Sequence, residues 1–234
     1  MRAAAERIVS CASASIAARG RFSWVLSGGN TPQRLYMLLG TADYVSRIDW
    51  ARVHFFWGDE RCVPPDHPDS NYRMARESLF DVVKPPAENV HRMHGERDPA
   101  QAADAYAAVL REFFGLPGGA PPHFDLILLG MGDDGHTASL FPGSAALLEE
   151  ERWVVANWVE KFGTWRLTFT LPVLNAARRV AFLVAGADKA GRLAQVFSRE
   201  PGGELLPAQR VRPTSGDAEW FVDTPAGANL GHAS

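Results

Sequence analysis

Asp134 and His136 stand two residues apart in the run GMGDDGHTASLFPGS, and together they offer the most legible chemistry in the chain. Histidine is the side chain whose charge changes nearest neutral pH, so His136 can act as a general base that activates water. Asp134 can orient the ring and stabilise the imidazolium. Gly130, Gly132 and Gly135 let the backbone bend sharply enough to turn both side chains toward one ligand. The same residues also suit a glycine-rich surface turn with exposed polar groups.

A second cluster, Ser27-Gly28-Gly29-Asn30-Thr31, precedes a helical stretch that opens near Pro32. Two glycines permit close backbone approach, and a helix N-terminus presents free N–H groups and partial positive charge, which together make a cradle for phosphate. A plain tight turn fits as well. Lys189, in the turn GADK, can supply a countercharge or stand in solvent. Asp59, Glu60 and Arg61 form a compact mixed-charge group suited to sugar hydroxyls, although Glu60 reads better as part of a local salt-bridged loop end. Arg166 opens the run RLTFT, where a period of two puts Arg166, Thr168 and Thr170 on one face. It can contact phosphate or carboxylate, or lie at an edge in water.

These clusters need elements to carry them. Ile8, Val9, Ala12 and Ile16 recur at near-helical spacing, so Met1–Arg19 reads as an amphipathic helix closed by Gly20. Strand candidates are Phe22–Leu26, Val53–Trp57, FDLILL from Phe124, Trp153–Asn157, Arg166–Thr170 and Val180–Ala185. Helical patterns occupy Pro32–Gly40, Tyr72–Leu79, Pro99–Phe114 and the stretch after GADK, with GDERCVPPDHPDSN as a loop and GLPGGAPP as a surface linker. Apolar strands alternating with helices predict an α/β fold whose mostly parallel central sheet is covered on both faces. In such sheets ligands bind beyond the carboxyl ends of the strands. The clusters SGGNT, GDER, GMGDDGH and GADK each follow a strand candidate, so four distant loops are expected to line one crevice.

Composition narrows the function classes. The formal net charge of −3 and the scattered basic residues argue against a nucleic-acid partner. Two distant cysteines, Cys11 and Cys62, indicate neither a disulfide framework nor a cysteine-rich metal site, and they fit a reducing cytoplasm. His54, His67, His91, His94, His123 and His232 show no metal-ligand spacing. The G-x-G in GMGDDG lies mid-chain without the partner acid of a nicotinamide site. Apolar runs fall short of the roughly 20 residues a membrane span needs, and the N-terminus lacks a signal-like apolar core.

The runs SGGNTPQRLY, FFWGDERCVPPDHPDSNYRMA, FDLILLGMGDDGHTASLFPGS, RLTFT and VAGADKA, in this order, resemble the signatures of the glucosamine-6-phosphate isomerase/6-phosphogluconolactonase family from about Arg2 to Ala226. The resemblance implies one Rossmann-like three-layer αβα domain over 1–234. Where the deaminase branch continues D-G-H with Asn-Glu-Pro, this chain reads Thr137-Ala138-Ser139-Leu140-Phe141-Pro142, the lactonase form. The missing glutamate fits that assignment, because opening an amino-sugar ring needs a further carboxylate as proton shuttle.

The lactonase form implies 6-phospho-D-glucono-1,5-lactone as substrate, with no organic cofactor and no obligatory metal. Gly28, Gly29, Asn30 and Thr31, beside Ser27, would hold its phosphate with Lys189 and Arg166. His136 would deprotonate the attacking water, Asp134 would position His136, and Arg61 would bind substrate or stabilise the tetrahedral intermediate. An amino-sugar-phosphate deaminase and a non-catalytic sugar-phosphate sensor are the competing readings, and the choice between monomer and homodimer stays open. Relatives usually carry a short strand before the first helix, and its loss here is expected to bare one edge of the sheet.

Overall fold

The computed structural model describes residues 1–116, 119–198 and 204–231. Five parallel strands form the central sheet: β1 (Phe22–Leu26), β2 (Val53–Trp57), β4 (Leu126–Gly130), β7 (Arg179–Val184) and β8 (Asp217–Val222), in the order β2-β1-β4-β7-β8. Every residue of β1 is buried, as are five of the six in β7, with no in-out alternation. That pattern belongs to strands covered on both faces. The sheet's aromatic centre includes Trp24, Phe55, Phe56 and Phe182, all fully buried.

Helix α1 (Arg2–Arg19) packs against β1 and ends at Gly20, whose φ of 74° takes the left-handed conformation expected of a helix-closing glycine. Helix α2 (Asn30–Leu39) begins two residues before the predicted start, so Pro32 is its third residue. A proline is tolerated there because N–H groups of the first turn have no intrahelical partner. The predicted helix Tyr72–Leu79 is α3 (Asn71–Ala75), which passes through a π-turn at Arg76–Phe80 into α4 (Asp81–Val83). Helix α5 (Pro99–Phe114) matches its predicted span, capped by the Asp98 side chain and ended by left-handed Gly115.

A second sheet changes two expectations. Asp59–Arg61, read as part of a loop, forms strand β3, and it pairs antiparallel with β6 (Thr164–Phe169), which pairs in turn with β5 (Val154–Val159). WVVAN and RLTFT therefore leave the parallel sheet, and Arg166 lies within the central strand of this smaller one rather than at a strand start. Short helices α6 (Leu171–Asn175), α7 (Ala190–Phe197) and α8 (Pro207–Arg210) complete the described fold. β2 and β8 are the edge strands of the large sheet, and β8 is only partly buried. His232 lies outside the described residues.

Candidate active site

The chain leaves β1 toward β2 on one side and leaves β4 toward β7 on the other, so loops after β1 and β4 diverge and open a crevice between them. Both glycine-bearing clusters are those loops. The crevice has two adjoining compartments, of about 170 Å³ and 480 Å³, which share Gly28, Gly29, Gly130 and Met131. The larger is lined by Asn30, Thr31, Arg34 and Lys189, and the smaller by Ser27, Asp59, Arg61, His136 and Arg166. All four predicted loops thus meet at one rim of the sheet.

The turn after β1 is clamped to its own helix. The Tyr36 hydroxyl on α2 donates to Ser27 O at 2.9 Å and accepts from Ser27 N at 3.0 Å. Gly29, with φ 98°, caps α2, whose first N–H groups face the larger compartment beside Lys189. Gly28 has a different constraint: a Cβ there would meet Asn71 Oδ1 at 1.9 Å. Asn71 is buried, donates to Asp59 O at 2.9 Å and lines the smaller compartment. Sequence reasoning missed it, although it follows the helix-capping Ser70 in a loop already marked by GDER. Arg34, one turn into α2, was missed too.

The loop after β4 folds back on itself through Gly132 N to His136 O at 2.9 Å and Thr137 Oγ1 to Gly130 O at 2.8 Å. It carries His136 Nδ1 to within 2.5 Å of Asp134 Oδ1, which also accepts from the His136 backbone N–H at 3.1 Å. A carboxylate can only accept, so Nδ1 bears the proton and Nε2 is the free basic nitrogen. Burial opposes ionisation of Asp134, but the hydrogen bond and charge of His136, with Lys161 adding, hold its carboxyl well below the usual carboxylate range. One face of the His136 ring stacks on Phe141, centroids 4.1 Å apart.

Strand β3 ties this loop to the second sheet. Asp59 is buried and accepts from Ser139 Oγ at 2.7 Å, while the Ser139 N–H donates to Thr168 Oγ1 at 3.2 Å. Asp59 thus braces the loop that carries His136 as well as lining the cavity. Glu60 makes no ion pair with Arg61. It accepts from the backbone N–H groups of Arg61, Asn71 and Tyr72 at 2.7–2.9 Å and from the Ser70 hydroxyl, fixing the start of α3.

Arg61 and Arg166 are register partners on adjacent strands, and the Nε atom of each is buried with no hydrogen-bond partner among the described residues. Burial, and then the Arg61 charge, lowers the Arg166 pKa from the ordinary arginine value. Two guanidiniums side by side, with Arg166 lacking any ion-pair partner among the described residues, are an arrangement that an anion would relieve. A separate hollow of about 500 Å³ beside Arg76, Lys84 and Arg92 differs, because Glu77 and Glu96 already match its two guanidiniums.

A doubly wound sheet with a helix N-terminus, unmatched arginines and a His–Asp pair around its switch point defines a Rossmann-like α/β protein built for a small anionic ligand. The chain belongs to the family described as glucosamine-6-phosphate isomerases/6-phosphogluconolactonase, which it matches over residues 1–220. It is 47% identical over 217 residues to the 6-phosphogluconolactonase of Synechocystis, covering 92% of this chain and 88% of that one. Identity to the Nostoc 6-phosphogluconolactonase is 44%, with the same coverage. The solved 6-phosphogluconolactonase of Trypanosoma cruzi superposes with a TM-score of 0.86 at 32% identity, over 98% of this chain and 92% of that one. No helix among the described residues is long and apolar enough to cross a membrane.

Proposed function

We propose that this chain is a cytoplasmic enzyme of the oxidative pentose phosphate pathway that hydrolyses 6-phospho-D-glucono-1,5-lactone to 6-phospho-D-gluconate, with His136 as general base. One observation carries the reading: a histidine whose Nδ1 is held by Asp134 lines a compartment that shares Gly28, Gly29, Gly130 and Met131 with the one at the N-terminus of α2.

The phosphate rests on the backbone of Gly28 to Thr31, with Lys189 as countercharge, and the lactone ring extends into the smaller compartment. His136 Nε2 takes a proton from water as the water oxygen attacks C1. The carbonyl π-electrons move to oxygen, and the resulting oxyanion is stabilised by Arg61 and Arg166. Collapse re-forms the carbonyl and breaks the C1–ring-oxygen bond, while the imidazolium returns its proton to the departing ring oxygen. Asp134 keeps the imidazole in the tautomer that permits both transfers and stabilises its charged form. No further carboxylate is required, in keeping with Thr137–Pro142, which contains no acidic residue, standing where the deaminases carry Asn-Glu-Pro.

The test generates the lactone in situ and compares its disappearance with and without protein, since it also hydrolyses spontaneously. The expected result is a clear acceleration that His136→Ala reduces by at least about a hundredfold, the lower end of a general base's contribution. An unchanged rate in that variant removes His136 from the role, and ammonia release from glucosamine 6-phosphate would transfer the chain to the deaminase branch.

A further inference from the structure

The turn joining β5 to β6, Glu160–Phe162, lies away from the strands that carry the proposed base, yet it touches both groups that hold the His136 ring. Lys161 Nζ lies 3.3 Å from Asp134 Oδ2 and 2.9 Å from Asp133 Oδ1. Asp134 therefore divides its two oxygens, Oδ1 for His136 and Oδ2 for Lys161. The next residue, Phe162, packs edge-on against Phe141 with centroids 6.0 Å apart, and Phe141 is the ring on which His136 stacks. One three-residue turn thus supplies the second support of both the edge and the face of the imidazole.

From this geometry we infer that Lys161 is a positioning residue for the hydrolytic reaction, acting through Asp134 to fix the orientation and tautomer of His136. The inference rests on His136 being the base. Lys161 lines neither compartment of the crevice, so it has no route to the reacting atoms except through Asp134. A carboxylate fastened at one oxygen only can rotate about its terminal torsion, which is broad. Fastened at both, it presents Oδ1 to Nδ1 in one direction. The other charged groups nearby are differently engaged: Arg192 donates to the Asp133 backbone carbonyl at 3.2 Å, Lys189 pairs with Asp188 at 3.0 Å, and Arg166 lies over the Phe162 ring. Among the described residues, Lys161 is the side chain that reaches Asp134 Oδ2.

The side chain of Lys161 is 45% exposed, and exposed ion pairs add little to stability. A purely structural role therefore predicts almost no consequence of its removal, whereas a positioning role predicts a change in turnover. Lys161→Met is expected to lower kcat about threefold to tenfold, to change KM less than about twofold, and to leave Tm within about 2 °C. This is well short of the roughly hundredfold loss that a 1 Å misplacement can cause, because Asp134 keeps its bond to His136. Lys161→Arg should restore most of the rate.

A readout independent of turnover is the downfield NMR resonance of the His136 Nδ1–H proton, assigned by its loss in His136→Ala. It should broaden or vanish in Lys161→Met and return in Lys161→Arg. Wild-type kcat in Lys161→Met, or a reduced kcat with the resonance unchanged, overturns the inference. Loss of the resonance in a protein that has no lactonase activity would instead sink the proposed function and leave the positioning contact standing.

Discussion

Gly132→Ala is the sharpest perturbation available to the proposed active site, because it moves the base without removing it. A Cβ at this position would stand 2.1 Å from His136 Nδ1, 2.2 Å from Cε1 and 2.9 Å from Asp134 Oδ1. An ordinary contact begins near 3.4 Å, so the imidazole has to retreat by the difference, about 1.3 Å. It cannot retreat freely, since its face is stacked on Phe141 and its edge is bonded to Asp134. A displacement near 1 Å can cost a factor of about 10², and loss of the base altogether costs about 10²–10⁴. The variant should therefore lose between about a hundredfold and ten-thousandfold in kcat. Gly132 is not among the residues with positive φ, so alanine fits the backbone conformation and the fold should persist. The assay pairs lactone turnover, corrected for spontaneous hydrolysis, with a thermal melt. A folded Gly132→Ala protein with kcat within tenfold of wild type would refute the claim that this imidazole position governs the reaction.

Two further outcomes follow from charged groups. Arg166→Met should lower kcat by about tenfold or more, since a charge-assisted hydrogen bond contributes about 1.5–3 kcal/mol, while the ligand-free protein melts no lower than wild type because repulsion with Arg61 is relieved. Lactone turnover corrected for spontaneous hydrolysis checks this, and a kcat within about twofold of wild type would show that Arg166 does not serve the oxyanion. Burial, with the His54 and Arg21 charges adding, pushes the His91 imidazole from 6.5 down to about 4. Below pH 6.5 the unfolded chain binds a proton that the folded chain refuses, so stability is full above that value and falls as pH drops toward 4. Full linkage gives about 3 kcal/mol, and partial solvent exposure reduces it to about half. Urea unfolding at pH 7.5 and 5 should show somewhat more than half of this loss, and His91→Phe should shrink it.

What the sequence made legible follows from what leaves a pattern in it. β1, β2 and α5 match their predicted spans because continuous apolar runs and a Pro start with a Gly stop are local signals. β3 is Asp-Glu-Arg, with no apolar period, and it is a strand only because β6 pairs with it. β8 was unread for a related reason: it is a half-exposed edge held by β7 alone. The His–Asp pair and the glycine turn were visible because their residues are neighbours in sequence. Asn71 beneath Gly28, and Lys161 against Asp134, lie 43 and 27 positions from the groups they touch, and no local spacing announces them.

Ser139, gripped by Asp59 and Thr168, gives the two sheets separate duties. The parallel one delivers the loops, and the antiparallel one braces the loop after β4 through Ser139 and lines the cavity with Asp59, Arg61 and Arg166. A change of length or sequence in the β5–β6 hairpin would then alter reactivity while leaving the anion cradle, on the far side of the crevice, in place. Chemistry and substrate grip can diverge independently in a protein built this way.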